Sequence, residues 1–445
     1  MSDSDAERRV RLDAALAAAR ETRAVELSRG AIARVADVFR AQFGEREAVI
    51  VADTKTFDAA GRTTQDVLKA AGVKTHPPFI FADPDLYAQY GFIDELDEWM
   101  ATHQAVPIAV GAGTINDLAK LAAHHAGRPY LAVATAASMD GYTAFGSSIT
   151  KDGLKQTFDC PAPVAVVADL DVIADAPSEL NAAGYADLLA KNTAGADWIV
   201  ADALNVEPID ATAWQLVQGR LKESVADPAG VRRGDVPALA NLTEGLILSG
   251  LAMQWTKTSR PASGAEHQFS HLWDMQRPAN HGDAPSHGFQ VGIGTLAVAR
   301  LYEQLLSQHL DRIDVESLAA TWPDEPIIVD RVLQLFESPR LARLAAKETT
   351  AKKPAWSSRR HHLNQIKDGW AKLKKRITDH LIPSSELEDM LGEAGAPVQS
   401  EQVGISRQRL RASYRLAYHI RRRYTVLDLA ERAGVLNACV APLFN

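Results

Sequence analysis

The sequence predicts an α/β plus all-α protein in two domains, a parallel-sheet domain over residues 1–176 and a helical domain over residues 177–445. Three observations carry this. The 445 residues exceed the ~250–300 at which a single hydrophobic core stops growing. Between residues 47 and 175, short β-branched runs alternate with alanine-rich stretches, the pattern of strand–helix–strand units. After about Pro177 the strand signals stop, and long alanine- and leucine-rich segments follow.

The strand candidates are 48–52, 107–110, 130–134 and 164–168. Between them, 114–125 reads as a helix, because Ile115, Leu118, Ala119 and Ala122 recur at helical spacing on one face. In the second half, 186–204, 210–225, 237–253, 290–308 and 315–321 read as helices.

Composition narrows the function. Hydrophobic residues at 46% and charged residues at 23% place the chain among ordinary globular proteins. A formal charge of −8 opposes a phosphate-backbone-binding surface, so no nucleic-acid partner is expected. The first residues contain no apolar leader and no run of ~18 uninterrupted apolar residues occurs, so neither secretion nor a membrane partner is expected. Cys160 and Cys439 match no disulfide framework or metal spacing and read as buried, reduced residues of a cytoplasmic protein. The basic segment 352–376, with Arg359, Arg360, Lys367, Lys372, Lys374, Lys375 and Arg376 around Trp356 and Trp370, reads as a solvated helix face over packed tryptophans. A nucleic-acid patch is the lesser reading.

The first chemical motif is PIAVGAGTINDLAK. A strand leads into Gly111 and Gly113, and a helix begins near Thr114. Glycine admits close backbone approach, and the free N–H groups of a helix start favour an anion such as a dinucleotide pyrophosphate. Only two of the three glycines of the usual fingerprint are present, so a structural turn is an equal reading. Asp53, closing the run AVIVAD, would accept hydrogen bonds from an adenosine ribose and repel a 2′-phosphate, favouring NAD over NADP. The plainer reading makes Asp53 a helix cap.

The second is a metal constellation assembled from Asp187 in AAGYADLLAK, His267 and His271 in SGAEHQFSH, and His287 in SHGFQVG. A helix puts His267 and His271, four apart, on one face. Asp187, His267 and His287 give three protein ligands and leave a position open, the arrangement of a catalytic site. A cation there would polarise a carbonyl oxygen. His271, one turn along, would orient a substrate hydroxyl or relay its proton, with Asp140 of TAASMDGYT in the same network.

Taken in order, VGAGTINDLAK, ATAASMDGYTA, VVADLDVIADAP, AAGYADLLAK, SRPASGAEHQFSH, HGFQVGIGT and RRRYTVLDLAERAG resemble the sn-glycerol-1-phosphate dehydrogenases. These belong to a superfamily of iron alcohol dehydrogenases, glycerol dehydrogenases and dehydroquinate-synthase-like proteins. The resemblance spans roughly residues 25 to 440 and implies a Rossmann-like N-terminal domain and a dehydroquinate-synthase-like helical domain. It implies that Gly111, Gly113, Asn116, Asp117, Thr135 and Ser138 contact NAD or NADP, that Asp187, His267 and His287 hold a divalent ion, and that Asp140 and His271 meet substrate. Zinc is the first choice of ion and nickel the second. Homo-oligomers are the implied assembly. The implied reaction is reversible, NAD(P)H-linked reduction of dihydroxyacetone phosphate to sn-glycerol 1-phosphate.

Two residues depart from the pattern. Ala144 stands where many members have a serine near the nicotinamide. Lys191 stands where iron-dependent relatives place a further histidine ligand; it would attract a substrate phosphate or serve as an ordinary helix-surface lysine. A polyol dehydrogenase acting on an unphosphorylated substrate remains the alternative, with a dehydroquinate-synthase-like lyase behind it.

Overall fold

A computed structural model describes residues 5–276, 285–352 and 356–445. The chain divides into two compact units, Met1–Leu188 with Thr212–Ser259 and Glu393–Ala396 as the first, and the remainder as the second.

The first unit is built on a parallel sheet of β1 (Ala24–Ser28), β2 (Ala48–Asp53), β3 (Phe79–Phe81), β4 (Val106–Gly111), β5 (Leu131–Ala134) and β8 (Ala165–Asp169), in the order β1-β8-β5-β4-β2-β3. Side chains alternate between its two buried faces, as the period of a strand requires. Ile50, Ala52, Ile108 and Val110 join Phe39 and Leu68 of the helices Val35–Phe43 and Arg62–Ala70. Val51 and Ala109, one residue out of phase, join Ile93, Leu96, Ile115 and Leu118 of Tyr90–Met100 and Gly113–His125. The four expected strands form β2, β4, β5 and β8; β1 and β3, the two sheet edges, are additional. An antiparallel hairpin of β6 (Ser147–Lys151) and β7 (Leu154–Phe158) is also additional, and it turns through Asp152 and Gly153 at φ 51 and 79.

The 21-residue helix Val236–Thr256 is long and apolar enough to span a membrane, but 83% of its most apolar window is buried within the protein. Its polar residues explain its place in the first unit. Arg11 makes a two-point contact with the buried Glu244, at 2.7 and 2.8 Å. Gln254 Oε1 accepts the N–H groups of Arg20, Glu21 and Thr22.

The second unit carries no strand among its described residues. The helices Lys191–Ala203, Ala265–Gln276, His287–Leu306 and Val426–Arg432 meet at the fully buried Asp197. Its carboxylate accepts the Ala265 and Val426 N–H groups, both at 2.7 Å, and the Tyr302 hydroxyl at 2.6 Å. These bonds fix two helix starts, where backbone donors lack partners of their own. The basic helix, Trp356–His380, pairs Arg360 with Glu316, Lys375 with Asp379 and Arg376 with Asp202, and it buries Trp370. The side chain of Trp356 and the backbone of residues 353–355 lie outside the described residues.

Candidate metal centre and dinucleotide cavity

In the first unit the chain runs from β2 outward to β3, then crosses back to β4 and proceeds through β5 towards β8. The reversal lies between β2 and β4, and open parallel sheets bind ligands outside the carboxyl ends of the strands at such a point. A cavity of about 510 Å³ sits there, lined by Asp53 at the end of β2, Ala112 and Thr114 beyond β4, Thr135 beyond β5, and Thr56 and Leu180.

Asp53 lines this cavity and also caps a helix, accepting the Thr56 N–H at 2.8 Å. Gly111 and Gly113 flank Ala112, and each answers a packing demand. A Cβ at Gly111 would lie 2.6 Å from Ile115 Cβ, and one at Gly113 would lie 3.2 Å from Met139 Cγ. Asn116 and Asp117 use their side chains within the protein. Asn116 Oδ1 accepts the Tyr130 hydroxyl at 3.2 Å, and Asp117 Oδ2 accepts the Ser148 N–H at 3.3 Å. Burial pushes the Asp117 carboxyl above its ordinary pKa, against the pull of Lys120.

The loop leaving β5 connects this cavity to Asp187. The Thr135 N–H reaches Gly111 O at 3.2 Å, and the loop passes through Ser138 to Asp140, whose N–H holds Asp187 Oδ2 at 3.1 Å. The Ser249 hydroxyl donates to Asp140 Oδ2 at 2.8 Å and so orients that carboxylate.

Asp187, His267 and His287 each offer a ligand atom, and these atoms all lie within 4.8 Å of one another. A tetrahedral ion bound at about 2.0–2.2 Å brings donors to about 3.3–3.6 Å, so small side-chain adjustments suffice for the set to close on an ion. A carboxylate with two imidazoles suits zinc and nickel alike. The His271 ring stands 6.3 Å from that of His267 and 5.9 Å from that of His287, centroid to centroid. The sequence-derived trio is therefore gathered, with His271 beside it.

Three further residues belong to this surrounding and carry no sequence signature of their own. Glu266 is fully buried, and its Oε1 accepts from His267 Nδ1 at 2.8 Å. Burial opposes ionisation of Glu266, but its bonds to His267 and the Gly264 N–H hold its pKa below the ordinary value. Ser270 Oγ lies 3.0 Å from His287 Nδ1 and 3.3 Å from Gln290 Oε1. Lys191 is fully buried, which removes the helix-surface alternative for that residue.

The sequence profile described as "Iron-containing alcohol dehydrogenase" matches residues 26–177. A glycerol-1-phosphate dehydrogenase [NAD(P)+] of Geobacillus stearothermophilus is 30% identical over 405 residues, 90% of each chain. That of Pyrococcus furiosus is 32% identical over 330 residues, 72% of this chain and 91% of its own. The chain belongs to the glycerol-1-phosphate dehydrogenase family. A relative of the same name from Halalkalibacterium halodurans is 37% identical over 256 residues, a match covering 57% of this chain and 64% of that protein's length. The fold extends to solved structures too remote to inform on function. A probable glycerol dehydrogenase from Sinorhizobium meliloti superposes with a TM-score of 0.61 at 15% identity, covering 95% of this chain and 98% of its own.

Proposed function

We propose that this glycerol-1-phosphate dehydrogenase family member is a metal-dependent oxidoreductase interconverting dihydroxyacetone phosphate and sn-glycerol 1-phosphate with NAD(P)H. The observation that carries the proposal is the convergence of Asp187, His267 and His287. The activity for which the relatives are named supports it.

Asp187, His267 and His287 hold the ion, zinc in the first instance and nickel in the second. When bound, the ion supplies Lewis acidity to the ketone oxygen. The cavity at Asp53 and Thr135 takes the dinucleotide, with Gly111, Gly113, Asn116, Asp117 and Ser138 shaping its approach, and the Asp53 carboxylate favours NAD over NADP. A bound nicotinamide would supply the hydride for the ketone carbon, and His271 would relay the proton that the ketone oxygen takes up. Asp140, held by Ser249, orients a substrate hydroxyl. The enzyme is read as cytoplasmic, in keeping with its two free, buried cysteines, and as a homo-oligomer by its family resemblance.

The test is NADH oxidation with dihydroxyacetone phosphate after chelation, with zinc, nickel, magnesium and iron restored separately. Dihydroxyacetone serves as the unphosphorylated comparison and Asp187→Ala as the ligand variant. Turnover restored by zinc or nickel, preferring the phosphorylated ketone and absent from Asp187→Ala, is the expected result. Equal turnover of the two ketones would transfer the reading to a polyol dehydrogenase, and indifference to chelation would end it.

A further inference from the structure

Each imidazole of the metal trio is engaged at Nδ1 by a chain of groups whose donor and acceptor roles follow from chemistry alone. The first chain is short. Glu266 Oε1 faces His267 Nδ1 at 2.8 Å, the same oxygen accepts the Gly264 N–H, and Thr193 Oγ1 lies 3.0 Å from the other oxygen. Oε1 already accepts the Gly264 N–H, so it meets His267 Nδ1 as an acceptor, and the shared proton sits on Nδ1 of His267. In the neutral ring the lone pair then falls on Nε2.

The second chain has three members. Gln290 Nε2 donates to Asp274 Oδ1 at 3.0 Å and to Pro285 O at 3.3 Å. Both of those oxygens accept, so the amide oxygen of Gln290 is the atom turned towards Ser270. The single hydroxyl proton of Ser270 goes to that oxygen at 3.3 Å, which leaves the Ser270 lone pairs to accept Nδ1–H of His287 at 3.0 Å. His287 therefore also presents Nε2.

The two chains are held in register by the packing of their helices. A Cβ at Gly294 would lie 2.6 Å from Glu266 O, so the backbone that carries Glu266 and His267 rests directly on the helix that begins at His287.

We infer that Glu266 is a positioning residue for the metal, presetting the Nε2 face of His267 through a buried carboxylate lock, and that Ser270, with Gln290 behind it, does the same for His287 through a hydroxyl one. This rests on the metal-centre reading above. The two locks differ in kind. A carboxylate on Nδ1 raises the basicity of the opposite nitrogen as well as fixing the ring, whereas a hydroxyl acceptor mainly fixes it. Glu266→Gln therefore acts more strongly than Ser270→Ala. The glutamine can also turn its NH₂ group to Nδ1, which would place the ring proton on Nε2, the nitrogen that would face the ion.

The experiment uses the full chain stripped of metal, with zinc affinity measured by competition against a chromophoric chelator. Co²⁺ absorption reports the coordination, and ¹⁵N-histidine NMR of the metal-free protein reports the tautomers. Wild type should take up one equivalent of zinc, with both rings protonated at Nδ1. Glu266→Gln should bind zinc about 10–100-fold more weakly with a changed Co²⁺ band, and His267 alone should lose its single tautomer. Ser270→Ala should weaken zinc by a smaller factor and release only His287; it carries the test if Glu266→Gln does not fold. Variants that melt earlier yet keep wild-type zinc affinity and tautomers would overturn the inference and leave the metal centre standing. A wild type that takes up no zinc or Co²⁺ would overturn both.

Discussion

Gly184→Ala is a single-methyl perturbation whose effect can be worked from the contacts around it. Asn181, Gly184 and Asp187 lie three apart on the helix Ser178–Leu189 and share one face. That face meets the loop after β5 at three places. Asn181 Oδ1 accepts the Ala137 N–H at 2.9 Å, Asp187 Oδ2 accepts the Asp140 N–H at 3.1 Å, and Gly184 lies between them. A Cβ at Gly184 would stand 1.8 Å from Ala137 O and 2.6 Å from Ala137 C, where real Cβ contacts essentially never fall below 3.0 Å. Relief takes about 1.2 Å of relative movement, and the obstacle is backbone, so no rotamer change supplies it. Overpacking of this kind costs about 1–3 kcal/mol. The movement also strains the two flanking hydrogen bonds, worth about 0.5–1.5 kcal/mol each. For a unit of this size the packing term alone lowers the melting temperature by about 2–12 °C. A shift of about an ångström at Asp187 should reduce turnover on the order of 10²-fold. Thermal melting, zinc titration and the NADH assay together read these effects. Gly369→Ala is the control, because a Cβ there meets nothing within 4 Å inside the helix Trp356–His380, and it should stabilise by about 0.5–1 kcal/mol. A Gly184→Ala protein with wild-type melting and wild-type zinc affinity would refute the reasoning.

Two further predictions follow from single side chains. Asp53→Ser retains an oxygen to cap the Thr56 N–H and removes the charge facing the cavity, so kcat/KM with NADPH relative to NADH should rise at least about tenfold; an unchanged ratio would return Asp53 to a purely capping role. His362 is buried beside Tyr424 Oη at 2.8 Å, and burial, then the nearby Arg432, lowers its pKa to about 3. Between pH 6.5 and about 3 the unfolded chain binds a proton that the folded chain refuses, so this contribution is present above 6.5 and is lost as pH falls. Equilibrium unfolding across that range should show a shallower acid dependence for His362→Gln, and parallel curves would contradict it.

The parts of the fold legible in the sequence are those where burial is two-sided and local. β2, β4, β5 and β8 each have a neighbour on both sides in the sheet and read as continuous apolar runs. β1 and β3 are edges; the first is interrupted by Glu26 and the second has only three residues, so neither makes a run. The hairpin strands SSITK and LKQTF are polar, and their one local signal is Asp152-Gly153, a pair suited to positive φ in a tight turn. The return of Val236–Thr256 to the first unit is not legible locally, because the residues that anchor it, Arg11 and Glu244, are 233 positions apart. At the site, residue type and spacing mark the metal trio. Glu266 looks like any acidic residue in a first helical turn until its burial is known, and Lys191 looks like a surface lysine for the same reason.

The loop Thr135–Asp140 gives the two halves of the proposed chemistry a common frame. One end lines the dinucleotide cavity and is pinned by the Thr135 N–H to Gly111 O; the other is pinned by the Asp140 N–H to Asp187 Oδ2. Between the pins, the Ala137 N–H is held by Asn181, and the Tyr142 hydroxyl donates to Ala136 O at 2.8 Å. Backbone atoms make most of these contacts, so substitution of the loop's own side chains leaves them in place. The spacing between the cavity and the Asp187 carboxylate is therefore set by how closely the helix Ser178–Leu189 approaches this loop, and the absence of a side chain at Gly184 sets that approach. In the proposed chemistry, a hydride step that depends on alignment to within an ångström would draw its precision from a glycine outside the metal trio.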